Sequence, residues 1–86
     1  MKWFLYLLLC DQKTYYVGIT RNLNKRLESH INKNSKFTKK FDDIKLIYFE
    51  EYKEENEAKK REKQLKGWSA AKKKALIDNN KNLLSI

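Results

Sequence analysis

Proline is absent, and only two glycines, one cysteine and one histidine occur among the 86 residues. Without proline, no strand or helix is forced to break at a residue that lacks an amide donor. With a single thiol, Cys10, the chain can form neither an internal disulfide nor a zinc site of paired cysteines, since both need at least two thiolates. A reducing, cytoplasmic setting follows as the expectation. Long apolar runs are also missing. The longest, Trp3 to Cys10, is far short of the ~20 residues of a membrane span, so no membrane association is expected. That segment imitates an export signal, with Lys2 ahead of the apolar run, but Leu9 stands where a small residue would be needed for processing.

What is present suits a folded chain. The composition is 41% hydrophobic and 13% aromatic, too rich in core-forming residues for a disordered tail. Chains of this size bury only about 60% of their unfolded surface, enough for one modest core and one domain over residues 1–86. We place that core at about 3–77, with a short tail over 78–86.

The formal net charge is +9, and it is distributed in blocks. Arg21 to Lys40 holds seven bases and one acid, Phe41 to Ala58 seven acids and two bases, and Lys59 to Lys81 nine bases and two acids. Two basic segments flanking an acidic one produce a polarised field that attracts polyanions, and binding of this kind weakens with salt. A solvated lysine-rich face would give the same composition.

Trp3 to Cys10 has strand length, and Thr14 to Thr20 is β-branched and aromatic, so the two form a hairpin around Asp11, Gln12 and Lys13. If Cys10 faces Thr14, Tyr6 lies opposite Gly18 and diagonal to Tyr16, and both phenols share one face of the sheet. Asn22 caps a following helix, whose stripe Leu23, Leu27, Ile31 faces the core; Arg26 and His30, four apart, line the edge of that stripe. Asn32 to Asp43 is a polar loop. Ile44 to Tyr52 forms a third strand. A second helix runs from about Glu54 to Lys66, stopped by Gly67, and a third from Ser69 as its cap to about Asp78. The expected fold is α/β, of the α+β kind: a small three-stranded antiparallel sheet with the first strand central, flanked by about three helices.

Ala58, Glu62 and Leu65 share one helical face, so a carboxylate lies on an apolar stripe. Such a group needs a hydrogen-bonding partner or a hard cation such as Mg²⁺ or Mn²⁺, unless its stem covers the core while its head reaches water or a lysine. Taken singly, the other candidates have ordinary readings too. Tyr6 and Tyr16 could be core phenols with satisfied hydroxyls, His30 a satisfied helix residue, Arg26 a partner of Glu28 or of the acidic strand, and Gly18 a relief of crowding in a strand.

Their order changes the reading. Phe4-Leu5-Tyr6, then Tyr16-Val17-Gly18, then Arg26 and His30, then Glu62 in Glu-Ala-Lys-Lys-Arg-Glu resemble the GIY-YIG nuclease superfamily. The likeness extends from Trp3 to about Ile77. It is strongest to the small stand-alone bacterial members and to the nuclease domain of Slx-type structure-selective endonucleases. Phe4 and Leu5 depart from the Gly-Ile of the family's first triplet. The asparagine found downstream in larger members has only Asn79, Asn80 and Asn82 as candidates here. The resemblance implies phosphodiester hydrolysis with one divalent metal, Mg²⁺ or Mn²⁺, held chiefly by Glu62. It also implies a phosphate contact from Arg26, and Tyr6, Tyr16 and His30 orienting or deprotonating the attacking water.

The expected function is therefore a metal-dependent DNA endonuclease acting in repair or recombination. DNA would lie across the sheet face bearing Tyr6 and Tyr16. Its backbone would be tracked by Arg21, Lys25, Lys36, Lys39 and Lys40, and by the third-helix lysines Lys72, Lys73 and Lys74. Backbone contacts carry no base information, so shape such as branches, flaps or nicks is the expected preference. An additional protein could supply activation or specificity. The rival expectation is a nucleic-acid-binding module, for DNA or RNA, that keeps the fold and cuts little.

Overall fold

The leucines at positions 5, 7 and 8 cannot all point to one side of a strand, yet none of them is exposed. A strand with an unbroken apolar run is stable where both of its faces are covered, and the topology provides that cover. The structure, a computed structural model, describes residues 2–32 and 40–79. Strands β1 (Trp3–Cys10), β2 (Thr14–Thr20) and β3 (Ile44–Tyr52) form one antiparallel sheet in the order β2-β1-β3, with helices α1 (Leu23–Ile31), α2 (Glu55–Lys66) and α3 (Ala70–Asn79) on its faces.

The expected hairpin register holds, with Cys10 opposite Thr14 and Tyr6 opposite Gly18. Asp11 (φ 52°) and Gln12 (φ 61°) make the turn in the left-handed region without a glycine. A left-handed residue that carries a side chain costs roughly 1–2 kcal/mol. At Asp11 the cost is offset by contacts to the segment entering β3. Its Oδ1 accepts from the amides of Asp42 and Asp43 at 3.0 and 2.8 Å, and its own amide donates to the Asp43 carbonyl at 2.7 Å.

One face of the sheet buries Leu5, Leu7, Val17 and Tyr48 against Leu65 of α2, with Trp68 and the α3 residues Leu76 and Ile77 packed alongside. The other buries Tyr6, Leu8 and Cys10 against Phe41 and the α1 residues Leu23 and Leu27. The fully buried leucines each stabilise the fold by about 1.5–3 kcal/mol. In β3 the pairing passes from Leu7↔Tyr48 to Leu8↔Leu46, so Ile47 is an extra residue. This bulge places Ile47 and Tyr48 together on the α2 side, while Leu46 and Phe49 pack on the α1 side.

The helix ends follow the expected chemistry. Asn22 accepts from the Lys25 amide at 3.0 Å, Glu54 and Glu57 form a capping box at the start of α2, and Ser69 Oγ accepts from the Lys72 amide at 3.2 Å. Gly67 closes α2 in right-handed geometry rather than the left-handed form usual for a terminating glycine, because the turn continues with the Trp68 amide donating to the Leu65 carbonyl.

The expected stripe of α1 needs one correction. Ile31 is 52% exposed, whereas His30 is 1% exposed and is the helix's buried residue. Leu23, Leu27 and His30 sit at i, i+4, i+7, an equally good helical stripe, and a polar partner across the interface decides for it.

Candidate active site

That partner is Tyr6. Its hydroxyl and His30 Nε2 lie 3.0 Å apart in the interior, and a hydrogen bond is what makes burial of two polar groups tolerable. Gly18 makes the arrangement possible. A Cβ there would come within 2.5 Å of the Tyr6 hydroxyl oxygen, so the bare backbone of β2 is the surface on which the Tyr6 ring rests. Tyr16, two residues away on the same strand face, completes a three-ring cluster. Its ring centroid is 5.0 Å from that of His30 and 6.1 Å from that of Tyr6.

Burial and neighbouring charges set the protonation states. Burial, helped by Tyr16 and Glu62, pushes the Tyr6 hydroxyl well above the ordinary phenol value, and Arg26 pulls it only partly back. Burial and then the Arg26 charge hold His30 below the usual imidazole value. At neutral pH the centre therefore holds a protonated phenol and an uncharged imidazole. Arg26 is exposed, one helical turn before His30, and its charge reaches both His30 and Tyr6. Glu62 is half-buried on α2, with its side chain 23% exposed and paired to Lys66 at 3.4 Å.

Tyr6, Tyr16 and His30 are thus in contact, the Arg26 charge acts on Tyr6 and His30, and the Glu62 charge acts on Tyr6. The sheet face that carries the phenols is covered where Tyr6 lies: Tyr6 is 3% exposed beneath α1. Tyr16 and Arg26 are the more open members of the group.

The expected phosphate-tracking residues are dispersed. Arg21 stacks on Trp3 at 5.7 Å, Lys25 is exposed on α1, and Lys40 is exposed beside Phe41. Lys36 and Lys39 lie outside the described residues, as do Asn80 and Asn82. Lys72, Lys73 and Lys74 sit on α3, which packs on the opposite sheet face; Lys72 lies over Trp68 at 4.5 Å and Lys74 pairs with Asp78 at 3.7 Å.

A second polar cluster was not expected. On the α2 side of the sheet, Glu50 accepts from the hydroxyls of Tyr48 and Tyr52 and from Arg61 through Nε at 3.0 Å and Nη2 at 3.1 Å. Burial alone would raise the Glu50 carboxyl, but the donors from Arg61, Tyr48 and Tyr52 outweigh it and hold Glu50 below its ordinary value. Tyr52 in turn is pushed up to about 12, by burial and then by its bond to Glu50. The alternation Tyr48, Glu50, Tyr52 on one strand was the available signal; no local pattern links it to Arg61.

Among the described residues no three of His, Cys, Asp or Glu gather as a metal cage, so a cation held by Glu62 would draw most of its ligands from water and substrate. That donor set fits a hard cation such as Mg²⁺, which commonly takes one or two carboxylates and completes its shell with water and substrate phosphate. Among the described residues, no helix is long and apolar enough to cross a membrane.

Residues 2–75 match the model of the GIY-YIG catalytic domain. A UPF0213 protein of Desulfotalea psychrophila is 34% identical over 77 residues, spanning 87% of this chain and 70% of its own length. One from Clostridium perfringens is 35% identical, over 88% of this chain and 83% of its own. The solution NMR structure of a UPF0213 protein from Bacillus halodurans superposes with a TM-score of 0.62 at 26% identity, covering 94% of this chain and 87% of that one. The chain belongs to the GIY-YIG catalytic domain family, whose nuclease domain implies endonuclease activity on DNA.

Proposed function

We propose that this chain is a divalent-metal-dependent endonuclease that hydrolyses DNA phosphodiester bonds, with a preference for branched, flapped or nicked DNA in repair or recombination. The observation that carries the reading is the buried Tyr6–His30 bond beside Tyr16, with the exposed Arg26 one turn away. It acts as a single domain, and a partner protein could add activation or specificity.

Arg26 offers a fork of donors to the scissile phosphate and to the charge that develops on it. Tyr6 keeps its proton at neutral pH and therefore positions rather than deprotonates. Its hydroxyl holds His30 in place, and the Tyr16 hydroxyl, the more open of the two, orients the attacking water. Glu62 would hold Mg²⁺ or Mn²⁺, which when bound supplies charge stabilisation at the phosphate oxygens. A site open at Tyr16 and Arg26 but covered at Tyr6 favours DNA that can bend or open there over a straight duplex.

A second reading, a DNA- or RNA-binding module with little cutting, draws on the Glu62–Lys66 pair, which already balances the carboxylate without a metal. A gel assay on plain, flapped and four-way-branched DNA with Mg²⁺ or Mn²⁺ decides between them. The nuclease reading expects metal-dependent cutting of the branched substrates, and a drop of about 10²–10³-fold or more in Arg26→Ala and Glu62→Gln. Shifted mobility with intact DNA in every lane would establish the binding module instead.

A further inference from the structure

The Glu50 cluster sits on the sheet face opposite Tyr6, yet one of its members, Arg61, is the residue immediately before Glu62. Ala58 and Leu65, the buried anchors of α2, lie on one line along the helix. Two points on a line locate an axis and leave rotation about it weakly determined. Arg61 supplies a third point off that line. Its guanidinium grips both oxygens of Glu50, its Nη1 donates to Gln64 at 2.9 Å, and its plane lies over Trp68 at 5.3 Å. Both side chains are largely covered, at 23% and 16% exposure. The Glu50 carboxylate is further held by the two tyrosine hydroxyls.

A buried ion pair adds little stability over an apolar pair of similar volume, whereas a guanidinium–carboxylate fork adds directional precision. The orientation in question is that of α2, and the next residue on α2 is Glu62. We propose that Glu50 and Arg61 are positioning residues for the nuclease reaction: their fork sets the rotation of α2 so that the Glu62 carboxylate is presented to the Tyr6–Tyr16–His30 centre. This rests on the reading of Glu62 as the metal-holding group. Catalytic constellations tolerate displacements of only about 0.5 Å and 10–20°, so a small rotation of α2 would impair the centre without unfolding the chain.

The test compares wild type with Glu50→Gln and Arg61→Lys, with Tyr48→Phe as a milder variant, each first checked for a cooperative unfolding transition. Kinetics are measured on flapped DNA with Mn²⁺. Separately, without DNA, Mn²⁺ alone is titrated while broadening of the Tyr6 and His30 ring signals is followed by NMR. In folded Glu50→Gln and Arg61→Lys the expected result is a fall in kcat of about tenfold or more with KM for DNA held within about twofold, since the phosphate-contacting residues are untouched. The Mn²⁺ concentration for half-broadening should rise in parallel, and Tyr48→Phe should move both less. Unchanged kcat and unchanged broadening in folded variants would overturn the proposal and leave the fork a fold-stabilising contact. If wild type cuts no DNA, the nuclease reading fails and the broadening still decides: a shift in the variants supports the positioning role, equal broadening overturns it. No broadening in wild type overturns both.

Discussion

The two faces of the sheet each carry a buried polar cluster, and the clusters differ in how fully they are neutralised. On the α2 side, the Glu50 charge is answered by Arg61 and two tyrosine hydroxyls. On the α1 side, Tyr6 and His30 are both uncharged, with protonation equilibria displaced in opposite directions by the same burial, and the charge beside them belongs to Arg26, exposed at the rim. A saturated cluster holds elements together. One whose balancing charge is open to solvent can give that charge to a ligand, which is why perturbed groups of the second kind point to function.

The largest expected break in this contrast is at Gly18. Gly18→Ala puts a methyl group where the Tyr6 hydroxyl lies and should cost about 1–3 kcal/mol of stability by overcrowding. It should also abolish most nuclease activity by displacing Tyr6 from His30. Thermal unfolding with the gel assay checks both. An active, fully stable variant would show that the close approach is not needed.

Arg61→Ala leaves the Glu50 carboxylate with two phenol donors and no counter-charge. It should destabilise by about 1–3 kcal/mol, toward the low end because the pair is partly exposed. Arg26→Ala, on an exposed side chain, should stay within about 0.5 kcal/mol of wild type. Urea unfolding of the two variants side by side tests the contrast directly, and equal losses would erase it.

The pH dependence is smaller. The folded pKa of His30 lies below its ordinary value of 6.5, so the unfolded chain binds the proton more readily. Stability contributed by the neutral imidazole is full above about 6.5 and is lost as pH falls from there toward the depressed folded value. Glu50 works lower: its folded pKa is depressed, so its contribution is present above the ordinary 4.5 and lost as pH falls through the folded value. Urea midpoints between pH 7 and 5.5 should therefore fall in wild type and stay flatter in His30→Asn; identical slopes would remove His30 as the cause.

The smallest effect concerns the hairpin turn, distant from both clusters. Gln12 has a positive φ of 61°, and among the described residues no side-chain hydrogen bond from it compensates. Gln12→Gly should raise stability by about 0.5–1 kcal/mol with cleavage unchanged; a loss would mean the Gln12 side chain makes a contact of value.

Much of this was legible because it is local. Strand limits, the Tyr6–Gly18 register and the caps at Asn22 and Ser69 follow from side-chain period, turn length and the orphan amides of a helix start, all of which lie within a few residues of each other. Tyr6, Tyr16, Arg26, His30 and Glu62 are spread along the chain and were readable as a set only through the resemblance of their order to the GIY-YIG family. The inward position of His30 was not readable, because Leu23–Leu27–Ile31 and Leu23–Leu27–His30 are both sound helical stripes. A few tens of degrees of helix rotation choose between them, and the Tyr6 hydroxyl across the interface makes the choice. The Ile47 bulge, the covering of Tyr6 by α1 and the grip of Arg61 on Glu50 belong to the same category. The order of residues along the chain carried which elements form and how the hairpin pairs, because those depend on backbone periodicity and turn length. Only the tertiary structure decided how far each helix turns against the sheet, because that is settled by pairings between residues distant in the chain.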